Sequence, residues 1–215
     1  MKKIPHLLGL LTLVFILTYS APVFAASVVL VPELIYTGEK AEIKCTPENN
    51  HFVVTSDIIR YKNYFRFLWK DGHRKYIKAV KKGPYTKVIK GGIQPANVQK
   101  SVIFRCKAPY FKATNDGKEL QNDGIYSVCS GDELKIDLVC NSQDQVKWEA
   151  SQNGYVNIKV KDKNTITLEA LRMGRVTLKA TYLGYSYDVV IDVKPGIKKL
   201  LDKFNIFRGV ADKIS

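Results

Sequence analysis

The sequence predicts an all-β protein, and two observations carry the prediction. Apolar side chains recur at every second position through most of the chain, and Gly, Asn and Asp punctuate these runs at short intervals. Ala41, Ile43 and Cys45 alternate with Glu42 and Lys44, and Val102, Phe104 and Cys106 with Ile103 and Arg105. Phe65, Phe67 and Trp69 form a third inward stripe opposed by Arg66, Leu68 and Lys70. From Gly131 the pattern restarts with Leu134, Ile136, Leu138 and Cys140, then Val146-Lys147-Trp148, a turn at Asn153-Gly154, and Val156, Ile158 and Val160. Ile166, Leu168 and Ala170 precede Gly174; Val176, Leu178, Ala180 and Tyr182 precede Gly184; Tyr187, Val189, Ile191 and Val193 close the series. Trp69, Phe104 and Trp148 are the expected large core residues. With 46% hydrophobic and 25% charged residues in 215 positions, the chain has the apolar surface for packed cores.

The ends of the chain read differently. Met1-Lys2-Lys3, the apolar run Leu7–Tyr19 and the small residues Val23 and Ala25 make a secretory signal peptide over 1–25. Removing Lys2 and Lys3 leaves 32 basic against 20 acidic residues, about +12 on the exported part. Beyond Pro195-Gly196, the residues Ile197, Leu200, Leu201, Phe204, Phe207, Ala211 and Ile214 recur at helical spacing among lysines and Arg208. A short cationic amphipathic helix is expected over 196–215, either touching a membrane surface through 197–214 or packing on a domain or partner.

An exported chain with four cysteines is expected to hold disulfides. Cys45, Cys106, Cys129 and Cys140 allow three pairings, and the strand patterns favour Cys45 with Cys106 and Cys129 with Cys140, each pair inside one domain. A faint repeat links Gly38-Glu39-Lys40-Ala41-Glu42-Ile43-Lys44-Cys45 to Gly131-Asp132-Glu133-Leu134-Lys135-Ile136-Asp137, which suggests tandem related domains. The expected division is 26–120 and 121–195, with the join between Asn115 and Gly124, where Asn-Asp-Gly occurs twice. One copy could instead be a hairpin turn inside the first domain.

Residues 27 to about 120 resemble an immunoglobulin-type sandwich. The resemblance puts Cys45 and Cys106 in the places of the two inter-sheet cysteines and Trp69 in that of the core Trp, with Phe104 where the family has its corner Tyr. Residues 125–195, through Val146–Ser151 and Ile166–Thr181, resemble the bacterial immunoglobulin-like group 2 module. The resemblance implies two tandem immunoglobulin-like β-sandwiches, of the kind found in bacterial surface, adhesin and envelope proteins.

Few residue patterns call for catalysis. His51 and His73 are the only histidines beyond the signal segment, no serine stands in a nucleophile-elbow setting, and no Cys-x-x-Cys or phosphate-cradling glycine motif occurs. No cofactor or metal is expected, and Gly91-Gly92 reads as a loop pair. The segment Ile58–Lys90 departs from background, with eleven Lys and Arg against Asp71 alone and Tyr61, Tyr64, Tyr76 and Tyr85 interleaved. A hairpin around Asp71-Gly72 with an odd-length loop puts Phe65, Phe67, Trp69, Ile77 and Ala79 inside and gathers Arg66, Lys70, Arg74, Tyr76 and Lys78 outside. Such a face suits an acidic envelope polymer or surface; its bland alternative is a solvated face that blunts edge pairing. No reading motif for a specific nucleic acid is present. The expected function is non-catalytic binding or adhesion by a secreted, periplasmic or cell-surface protein. The alternative is an assembly subunit that docks on another envelope protein through the C-terminal helix and strand edges.

Overall fold

The computed structural model describes residues 25–55, 61–70, 72–120 and 124–196. Signal residues 1–24, residues 197–215 of the helix expected over 196–215, Arg60 and Asp71 lie outside the described residues. The first eight strands are β1 (Ser27–Val31), β2 (Leu34–Tyr36), β3 (Lys40–Thr46), β4 (His51–Val54), β5 (Phe65–Lys70), β6 (His73–Ala79), β7 (Tyr85–Gln94) and β8 (Val98–Lys107). They make two four-stranded sheets, β1-β3-β6-β5 and β2-β8-β7-β4. Period-two alternation turns Leu30, Ala41, Ile43, Phe65 and Ile77 of one sheet and Ile35, Phe52, Ile89 and Phe104 of the other into one shared core. Phe104 retains 1% of its surface and Ile77 none; burying a side chain of this size contributes roughly 1.5–3 kcal/mol.

The other strands are β9 (Tyr110–Asn115), β10 (Lys118–Leu120), β11 (Ile125–Cys129), β12 (Glu133–Val139), β13 (Lys147–Ala150), β14 (Val156–Val160), β15 (Thr165–Ala170), β16 (Gly174–Tyr182) and β17 (Tyr185–Lys194). Their sheets run β10-β9-β12-β15-β14 and β11-β17-β16-β13. Ala113, Leu134, Ile136 and Leu168 pack there against Tyr126, Leu178, Val189 and Ile191. With the small hairpin strand β10 set aside, the second pair of sheets repeats the first strand for strand. In each pair a short strand pairs in parallel with the last one, β2 with β8 and β11 with β17. This is the immunoglobulin-type arrangement, four strands facing the C, F and G strands, with the parallel strand added beside G. The sequence echo falls on equivalent strands, β3 and β12.

The topology corrects four expectations. Cys106 stands on β8, the last strand of its sheet, because β7 intervenes between the hairpin and β8. Gly91-Gly92, read as a loop, lies inside β7, opposite Val54 and Val53 of β4. A Cβ on Gly91 would stand 2.4 Å from Phe52 Cζ, so the glycine admits the Phe52 ring to the core. Trp69 is 64% exposed on the edge strand β5, not in the core. The ladder shifts register beyond Leu68, so the alternating stripe does not continue inward to Trp69. The indole at the C-strand position is Trp148 on β13, which packs partly buried against the second core. Finally, residues 110–120, expected in the first domain, belong to the second sheet pair: β9 runs against β12 from Tyr110↔Val139 to Thr114↔Lys135. Asn115-Asp116-Gly117 is the turn of the β9–β10 hairpin.

The four cysteines are separate thiols, which corrects the expected disulfides. Both favoured pairs sit at opposite ends of their sheets. Thr37 N donates to Lys107 O at 3.0 Å, so Cys106 lies at the end where β3 begins, and Cys45 is five residues farther along β3, about 16 Å by strand rise. Gly131 and Asp132, just after Cys129, bond Ala170 at the start of β12, whereas Cys140 follows its far end, about 23 Å away. A disulfide tolerates a Cα separation of about 7 Å at most. Burial pushes the Cys45, Cys106 and Cys140 thiols up, so they stay protonated and slow to react. Non-reducing peptide mapping is expected to find neither the Cys45–Cys106 nor the Cys129–Cys140 crosslink; recovery of either would contradict the strand order.

The two sheet pairs meet around Glu39. Its carboxylate is fully buried and accepts hydrogen bonds from Tyr36 N (2.8 Å), Asn141 N (2.7 Å), Asn141 Nδ2 (2.7 Å) and the Tyr182 hydroxyl (2.8 Å). The Tyr182 hydroxyl accepts in turn from Gln143 N at 2.9 Å. Gln143 grips both backbone groups of Lys40, and the Tyr185 hydroxyl donates to Val80 O at 2.8 Å. Gly38, with φ +90°, lets Leu183 and Tyr185 approach; a Cβ there would stand 2.8 Å from Leu183 Cβ. Buried polar groups are tolerated only when bonded, and this set is bonded throughout.

Candidate anion-binding face

The candidate site is the outer face of the sheet β1-β3-β6-β5. Ala41, Ile77, Ala79 and Phe65 turn inward, so their sequence neighbours on β3, β6 and β5 turn outward. Register then decides which outward residues are neighbours. Lys40 pairs with Lys78, and Lys78 pairs with Arg66, so three cations form one continuous row across three strands. Adjacent strands are about 4.8 Å apart, which brings the bases of these side chains together. In the next row stand Glu42, Tyr76 and Leu68.

Like charges placed opposite one another destabilise a sheet. The second sheet pair shows how such a row is normally relieved. Glu133 and Glu169 are ladder partners there, and Lys159 bridges both, at 3.6 and 3.3 Å. Among the described residues no carboxylate does this for the cationic row. Among the described residues, Lys40, Lys78 and Arg66 join no ion pair; Glu42 in the adjacent row is taken by Lys75 (3.4 Å) and Lys44 (3.9 Å). The ammonium of Lys40 sits 5.2 Å from the centre of the Tyr76 ring, a cation–π contact that leaves its charge uncompensated. Arg66 and Lys40 are exposed and Lys78 is half-buried.

The five expected residues therefore divide. Arg66, Lys78 and Tyr76 are brought together. Lys70 pairs with His73 at the hairpin end and lines a cleft away from the row, while Arg74 is the ladder partner of Trp69. The hairpin closes with the two-residue loop that the sequence disfavoured, and the register shift beyond Leu68 keeps Ile77 and Ala79 inside. Lys40 is the member that sequence reasoning missed. Its strand was recognised, but nothing local announces that β3 will pair with β6.

A second basic group gathers around Tyr64. Lys81 and Lys87 place their ammonium groups 4.3 and 4.1 Å from its ring centre. A hydrogen bond from Lys81 and the positive charge of both lysines hold the Tyr64 hydroxyl below the usual tyrosine range. These lysines lie closer to their ring than Lys40 does to Tyr76, and they belong to a different group from the row. Among the described residues no three His, Cys, Asp or Glu side chains are grouped to hold a metal, and no helix is long and apolar enough to cross a membrane.

No protein-family model matches the sequence, and no curated protein matches it. Among solved structures, the chain is similar to surface layer protein SbsC domains 1-6, at 15% identity over 73% of this chain, with a TM-score of 0.30; it spans 23% of that chain. For SbsC domains 4 and 5 the identity is 13%, the coverage 74% of this chain and 91% of that one, and the TM-score 0.29. For the titin fragment A168169 the values are 12%, 76%, 93% and 0.28, and for murine CEACAM1b 9%, 79%, 100% and 0.26.

Proposed function

We propose that this chain is an exported, non-catalytic binding protein of two tandem immunoglobulin-like domains, joined near Ala108-Pro109, that holds an acidic envelope polymer on the Lys40–Lys78–Arg66 row. The uncompensated row carries this reading. A chain of carboxylates or phosphates laid across the three strands would supply the counter-charge that Lys159 supplies to its glutamates. A polymer fits better than a single ion, because the cations form a line on an open sheet face. The assembly alternative rests on the C-terminal helix expected beyond Pro195, outside the described residues, and on strand edges such as β5, which carries the exposed Trp69.

Charge reversal tests the proposal. Wild-type protein is expected to be retained on immobilised polygalacturonate or polyphosphate at low salt and to elute steeply as salt rises. Arg66→Glu with Lys78→Glu is expected to weaken retention by at least about tenfold, since each replaced cation becomes a repulsive contact of order 1 kcal/mol. In urea unfolding it should be no less stable than wild type, because both side chains face outward and Lys78→Glu sets an opposite charge beside Lys40. Undiminished retention by this variant would remove the row from the function.

A further inference from the structure

A cleft of about 560 Å³ opens at the other end of the first sheet pair from Glu39, between the β3–β4 turn and the β5–β6 hairpin. His51 opens β4 in one sheet and His73 opens β6 in the facing sheet, yet their imidazole rings stack with centroids 4.4 Å apart and planes 30° apart. The titratable groups lining the cleft are Glu42, Lys44 and Cys45 from β3, Glu48 from the turn, His51 from β4, Lys70 from β5, and His73 and Lys75 from β6. Glu42 is held by Lys44 and Lys75. Lys70 joins no ion pair among the described residues, and it is the ladder partner of His73. Thr46, Asn49 and Asn50 add neutral polar groups to the same lining.

We infer that this cleft binds the anionic group of an acidic sugar, with Lys70 and the His51–His73 pair facing the anion and Thr46, Asn49 and Asn50 available to the sugar hydroxyls. The inference rests on the polymer reading above and deepens it: the polymer lies on the row, and one acidic unit enters the cleft. A cation is the poorer occupant, because three lysines line the space and no metal-holding group of three is present among the described residues. Lys44 and Lys75 are engaged by Glu42, so Lys70, beside the stacked rings, is the cation left to meet an anion.

The test follows the His51 and His73 side-chain resonances of the whole protein by NMR while D-galacturonate, inorganic phosphate or neutral galactose is added. Saturable shifts of both imidazoles with galacturonate are expected, with galactose inert. Phosphate acting as well as galacturonate would place recognition in the charge; galacturonate alone would place it in the whole acidic sugar. Lys70→Glu should weaken this response at least about tenfold, since it turns an attraction into a repulsion of the same order. Absence of a saturable shift with either anion, an equal response to galactose, or an undiminished response in Lys70→Glu would overturn the assignment. The two readings fail separately: Arg66→Glu with Lys78→Glu should leave the imidazole shifts intact, and Lys70→Glu should still be retained on polymer.

Discussion

Replacing Glu39 by alanine is expected to destabilise the protein by about 3–5 kcal/mol in urea unfolding, the range for removing one partner of a buried charged network. The substitution leaves four donors facing an apolar methyl group: Tyr36 N, both donors of Asn141 and the Tyr182 hydroxyl. Asn141 Nδ2 keeps Leu34 O as a second partner at 2.9 Å, so the loss stays below a simple sum of four bonds. Glu39→Gln should lose roughly half as much, because one oxygen still accepts while the amide nitrogen meets another donor. A loss under about 1 kcal/mol for alanine would show that water replaces the carboxylate, and the joint would then be a wet contact. The same network responds to alkali. Burial, and then the neighbouring Glu39, push the Tyr182 hydroxyl well above the ordinary tyrosine range. A group whose acid form is favoured by folding contributes fully below its unfolded value, about pH 10 for tyrosine, and that contribution falls as pH rises further.

Gly91→Ala is the second large effect, expected at about 3 kcal/mol or more. The new methyl group would meet Phe52 Cζ at 2.4 Å, Phe52 Cε2 at 2.7 Å and the backbone oxygen of Val53 at 2.5 Å. The ring could rotate away from the first two contacts. The carbonyl cannot, because the ladder that pairs Val53 with Gly92 and Val54 with Gly91 fixes it. Overpacking that shifts backbone generally costs about 1–3 kcal/mol, and here it also parts β4 from β7. Thermal unfolding of Gly91→Ala beside Gly92→Ala makes the test. Gly92 has only the flexible ends of Gln99 and Gln94 nearby, at 3.4 and 3.8 Å, so its variant should unfold close to wild type. Equal losses would show that the Phe52 contact does not set the cost.

These two residues also mark where local pattern ceased to be informative. The second sheet pair was largely legible: its inward stripes from Leu134 to Val193 fall on β12 to β17, since each run is short, regularly alternating and ended by a turn residue. In the first pair β7 escaped notice, because its inward positions are Ile89, Gly91 and Ile93, and a glycine that makes room for an aromatic ring looks the same as a glycine in a turn. Losing that strand put Cys106 in the place of a strand-F cysteine, and β4, unread between β3 and β5, left Trp69 to take the place of the core indole. Residues 110–120 were given to the wrong neighbour for a related reason, since the pairing of β9 with β12 is a long-range event.

The amino-acid sequence by itself determined the all-β class, the doubled arrangement, the inward stripes and the cationic bias of the region between Ile58 and Lys90. Each of these depends on composition or on side-chain period, which a strand carries wherever it pairs. Tertiary structure alone decided that Lys40, Lys78 and Arg66 share a row, that Lys70 turns to the His51–His73 cleft, that the cysteines stay apart, and that Glu39 is the buried hub between the sheet pairs. Those outcomes depend on register, strand order and the docking of distant segments. One residue of slip moves a side chain to the opposite face, and no local signal records which strand will lie alongside.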